Sequence, residues 1–69
     1  MKEDRERLLN YFEEMKALEE STRDYYTKIS IDRNFEDQEI KDTFKRISEE
    51  EQKHADIIEK IINIIKYNI

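Results

Sequence analysis

The chain has 69 residues, 45% of them charged, with a formal net charge of −5 and no Gly, Pro or Cys. That length allows one small domain with too little core to stand alone. The missing Cys excludes a disulfide scaffold, a thiolate metal site and a thiol nucleophile, and the acidic balance argues against nucleic acid as a partner.

Without Gly or Pro there is little turn chemistry for a β-rich fold, while abundant Glu, Lys, Ile and Leu favour long helices. The first residues, MKEDRERLL, hold no apolar segment of the kind a signal peptide needs. The most apolar stretch, IIEKIINIIKYNI, is too short and too often interrupted to span a bilayer. The expectation is a cytoplasmic protein with no membrane partner. An acidic chain is also a good host for cations.

The first predicted helix covers about residues 3–29. Leu8, Phe12, Met15, Glu19, Thr22, Tyr26 and Ile29 fall at alternating spacings of four and three, one stripe of a left-handed bundle. Tyr11, Leu18 and Tyr25 flank that stripe and widen it. The segment SIDRNFEDQ follows, rich in turn formers, and places a loop at about 30–36. Asn34 with Asp37 resembles a capping pair at the start of the next helix. The second predicted helix runs from about 37 to 66, with Ile40, Phe44, Ile47, Glu51, His54, Ile58, Ile61 and Ile65 as its stripe. A short loop makes the helices antiparallel neighbours. Residues 1–69 therefore read as one all-α helical hairpin. Such a hairpin cannot bury two apolar stripes by itself, so the expected assembly is a homodimer forming one four-helix bundle.

Three ionisable residues interrupt the stripes: Glu19, Glu51 and His54. A lone carboxylate in a core costs several kcal/mol unless it is paired or bound to metal. Residues three apart on a helix point the same way, so Glu51 and His54 can share one ion. Counted outward from the loop, Glu19 lies at nearly the same height as both. A two-fold axis then collects four Glu and two His, the donor set of di-iron carboxylate bundles, and the four carboxylates balance two divalent ions. Iron or manganese suits these donors, and zinc is acceptable. Glu20 is the rival to Glu19, although it falls in the solvated row of Glu13, Lys16, Arg23 and Thr27. Glu50, one turn before His54, can replace or supplement Glu51 as the bridging ligand.

LEESTRDYY, followed about thirty residues later by EEEQKH, resembles the ferritin-like superfamily. It is similar to the first-helix Glu and the Glu-x-x-His of rubrerythrins. It is closer still to encapsulated ferritins, two-helix subunits that build an iron site on dimerising. The resemblance implies that Glu19, Glu51 and His54 are the catalytic iron ligands, with Tyr26 supporting them from behind. It implies a ferroxidase serving iron storage or detoxification, a homodimer that can close into a larger ring, and an encapsulin-type shell around it. The chain departs from encapsulated ferritins in holding Leu18 and Ser21 where they carry further acidic residues. It has no Cys-rich electron-transfer segment like that of rubrerythrins. Two other readings remain: a rubrerythrin-like peroxide scavenger, and a helical oligomerisation module without catalysis, metal-stapled or not.

Overall fold

The computed structural model describes residues 2–68, which form two helices, α1 (Lys2–Ser30) and α2 (Gln38–Asn68), packed along their length. The hairpin is a thin rod of 53 × 14 × 10 Å. Each helix carries charge that suits its ends: Glu3 and Asp4 in the first turn of α1, Lys28 in its last, Glu39 and Lys66 in the same places on α2.

Residues 31–37 turn the chain without any positive-φ residue among those described. Ile31 and Asp32 donate their backbone N–H groups to the carbonyls of Thr27 and Ile29, satisfying acceptors at the end of α1. The Asp32 carboxylate then accepts from the Asn34 backbone N–H at 2.8 Å, which tightens the turn. The capping pair expected of Asn34 and Asp37 is not what starts α2. Asp37 itself is the cap: its carboxylate accepts from the Ile40 N–H at 3.2 Å, and its carbonyl accepts from Lys41. Asn34 is spent inside the turn, and α2 runs two residues past the expected end.

The core is lopsided. Ala55, Ile58, Ile62 and Ile65 are buried, all on α2, and no residue of α1 is. Ser48, Ala55 and Ile62 recur every seven residues on the row that meets α1. The small side chains at 48 and 55 allow close approach, and each buried Ile contributes about 1.5–3 kcal/mol of transfer free energy.

A polar seam closes one long edge of the hairpin. Thr27 meets Ser48 hydroxyl to hydroxyl, Arg23 donates to the Gln52 carbonyl, and Lys16 pairs with Glu59 at 2.8 Å. In each of these pairs the two residue numbers add up to 75, so one register serves the whole seam. The exposed ion pair adds little energy, but a one-residue slip would break all three contacts together. The opposite edge is different. There Tyr11, Leu18 and Tyr25, spaced by seven, are 60%, 66% and 65% exposed, and Leu8, Met15, Ile57 and Ile64 are exposed beside them. One edge is sealed by polar contacts and the other is open and apolar.

Candidate metal centre

Glu19 projects from the middle of α1, and Glu51 and His54 from the middle of α2. The equal rise of two antiparallel helices puts them at one height. One ligand atom from each of these three residues lies within 4.8 Å of the others. His54 turns its Nδ1 inward, 3.7 Å from Glu19 Oε2 and 3.6 Å from Glu51 Oε1. Those separations are too long for hydrogen bonds. They suit donors around a cation, because two ligand atoms about 2.1 Å from one ion sit about 3–4 Å apart.

The two carboxylates are half-buried, with side chains 24% and 19% exposed, while the His54 side chain is 56% exposed. The site therefore sits at the rim of the open edge, with the imidazole outermost. Glu19 Oε2 is buried and has no hydrogen-bond partner among the described residues. A buried carboxylate oxygen left unpaired is costly, and a cation beside it removes that cost. Glu19, as hydrogen-bond acceptor for the protonated Glu51 carboxyl, holds that carboxyl above the ordinary value of 4.5; burial and the like charge of Glu19 add to the rise and His54 opposes it. Two carboxylates beside one imidazole are a donor set that suits a divalent cation.

The sign of that shift gives a test. A raised carboxyl binds its proton more tightly folded than unfolded, so its stability contribution is present below pH 4.5 and lost as pH rises through the raised value. Metal-free protein is expected to lose stability across that window as pH increases. Glu51→Gln, which cannot ionise, is expected to flatten that part of the profile in urea melts. An unchanged slope in the variant would show that the crowding is absent.

The competing candidates lie elsewhere. Glu20 faces the polar seam, where it approaches Lys16 and Arg23 at 3.9 Å each. Glu50 is exposed and stands outside the three-residue group. Tyr26 stacks its ring on Phe44, with centroids 5.5 Å apart and planes 20° from parallel, bracing the two helices between the site and the loop. Arg23 and Gln52, in the polar seam beside the site, were not singled out from the sequence. Their shared height with Glu19 and Glu51 was the signal available.

The rubrerythrin family model matches residues 6–69, nearly the whole chain. The chain belongs to the rubrerythrin family. That places the hairpin in the ferritin-like di-iron superfamily, whose members bind iron through Glu and His side chains on bundled helices. No curated protein and no solved structure matches the chain significantly. Glu19, Glu51 and His54 fit iron on the structure's own terms, through an orphaned buried carboxylate oxygen, a crowded carboxyl pair and an inward imidazole nitrogen. These 69 residues of the rubrerythrin family contain no Cys. Neither described helix is long and apolar enough to cross a membrane.

Proposed function

We propose that two copies of this chain join their open edges into a four-helix bundle and bind a pair of iron ions between them, oxidising Fe(II). The observation that carries the reading is the half-site at the rim of an unpaired apolar edge. One hairpin supplies two carboxylates and one imidazole to a position that a second copy would enclose.

Glu51 of both copies would hold the two ions in common, and Glu19 and His54 of each copy would complete the donor set. Four carboxylates neutralise two divalent charges, which ends the repulsion between Glu19 and Glu51. His54 turns Nδ1 toward both carboxylates, so that nitrogen would be the one to hold the ion. Bound iron supplies one-electron redox chemistry toward dioxygen or peroxide. Manganese and zinc meet the same donors and would compete for them.

The experiment is aerobic Fe(II) oxidation, followed by the absorbance of the ferric product. Glu51→Ala and His54→Ala are expected to abolish oxidation above the protein-free rate while far-UV dichroism keeps its helical signal. Either variant turning over iron at the normal rate would refute the assignment. The family match favours one second reading, peroxide as the physiological oxidant in the manner of rubrerythrins. Running the assay with peroxide under argon separates it from a dioxygen-driven ferroxidase. Iron storage or detoxification inside the cell, a larger ring and an encapsulin-type shell are extensions of the ferroxidase reading.

A further inference from the structure

The three candidate ligands are split between two helices, Glu19 on α1 and Glu51 with His54 on α2. Their spacing therefore depends on the register of one helix against the other. A slide of a single residue moves a helix by ~1.5 Å, whereas ligand distances to an ion hold to about 0.2 Å. Apolar packing resists such a slide poorly, because it is non-directional and α1 has no buried residue to lock into α2.

We infer that Arg23 and Gln52 are positioning residues of the metal centre: their hydrogen bond across the helix pair fixes the register at which Glu19 meets Glu51 and His54. The inference rests on the metal-centre reading above. Arg23 stands one turn after Glu19 on α1, and Gln52 directly follows Glu51 on α2. Arg23 Nη1 donates to Gln52 Oε1. Each partner is also anchored on its own helix. Arg23 Nε donates to Asp24 Oδ1 at 2.8 Å, and its Nη2 lies 2.7 Å from the same oxygen. Gln52 Nε2 donates to Asp56 Oδ1 at 2.8 Å, which turns the carbonyl end of the amide toward Arg23. The result is a chain of four side chains, Asp24, Arg23, Gln52 and Asp56, tied to α1 at one end and to α2 at the other.

The other two contacts of the polar seam suit this task less well. Lys16 and Glu59 bracket the site from its far side, three residues before Glu19 and five after His54. Their side chains are 33% and 46% exposed, and an exposed ion pair on two flexible stems restrains little. Thr27 and Ser48 meet close to the loop, eight residues after Glu19 on α1, where the short connection already holds the helices together. Arg23, its side chain 26% exposed, makes the partly buried bridge at the height of the ligands. A planar guanidinium with its donors in a fixed fork holds direction as well as distance, which a lysine cannot do.

The bridge also leaves the ligands available to a cation. Arg23 spends its donors on Asp24 and Gln52 and approaches Glu20 at 3.9 Å, so its charge is met without drawing on Glu19 or Glu51. An arginine paired with Glu19 would compete with metal for that carboxylate. Here Glu19 Oε2 stays without a hydrogen-bond partner among the described residues.

The test compares Mn(II) affinity and the electron paramagnetic resonance spectrum of bound Mn(II) in variants that keep all three ligands. Gln52→Met preserves the net charge and removes the acceptor. It is expected to weaken Mn(II) binding about tenfold and to change the zero-field splitting of the bound ion, because the donors no longer stand at one set of distances. Arg23→Gln with Gln52→Arg rebuilds the bridge in reverse and is expected to bring both readouts back toward the unaltered protein. Thr27→Val is the control for stability: it is expected to lower the melting temperature and leave the spectrum of the bound ion unchanged. A purely structural role would instead leave the Gln52→Met spectrum unchanged, with affinity falling only as far as the loss of stability accounts for. That pattern overturns the inference while the metal centre stands. So does a reversed pair that behaves like Gln52→Met, or a Thr27→Val spectrum shifted as far. If the unaltered protein shows no saturable Mn(II) binding, the metal centre itself falls and the inference with it.

Discussion

Saturating Fe(II) or Mn(II), added to metal-free protein under argon, raises the melting temperature by on the order of 10 °C, and a chelator reverses the rise. The physics is linkage. A cation that binds only the folded dimer adds RT ln(1 + [L]/Kd), about 2.7 kcal/mol at a hundredfold excess over Kd. Without the cation the proposed dimer would confront four carboxylates across one axis, and Glu19 already raises the Glu51 carboxyl within a single hairpin. Metal-free dimer is thus opposed by charge and metal-loaded dimer is not. A helical module held by apolar contacts alone would melt at the same temperature with and without metal. Glu19→Gln with Glu51→Gln separates the two cases: it is expected to stabilise metal-free protein and to erase the response to metal.

The second large effect is stoichiometric. Anaerobic Fe(II) titration is expected to break sharply at one ion per chain, two per dimer. In His54→Ala the break is expected to disappear, because each ion loses its only nitrogen donor and the site opens further to water. A break at half an ion per chain would mean one metal on the axis rather than a pair. No saturation at all would reduce Glu19, Glu51 and His54 to a polar layer in a bundle. The count is independent of turnover, so it tests the centre without relying on the oxidant.

Much of this was readable in the chain before its structure. Counting outward from the loop placed Glu19 level with Glu51 and His54, and the structure brings their ligand atoms within 4.8 Å. That works because both helices rise equally per residue and the loop is short enough to fix the offset. The preference for Glu19 over Glu20 came from the same periodicity, which put Glu20 in one row with Lys16 and Arg23; Glu20 approaches both at 3.9 Å. The cap was misread because Asn34 and Asp37 both favour helix starts; only the Asp32 carboxylate, by engaging the Asn34 N–H, decides between them. The polar seam was also illegible. Thr27, Ser48, Arg23 and Gln52 are unremarkable singly, and only the pairing of two helices shows their common register. Nor did periodicity indicate that α1 would lack any buried residue. Both stripes look alike as sequences, and which becomes core depends on where the small residues Ser48 and Ala55 let the helices meet.

The absence of a single buried residue on α1 has a consequence for the life of the chain in a cell. A helix held on one side only opens easily, and open backbone is what proteases cut. On the proposed dimer reading, a hairpin without its mate would be cut faster than an assembled, metal-filled pair. On that reading the supply of metal would influence how much of the protein survives. The weakness of α1 would then link the abundance of the chain to the metal it binds.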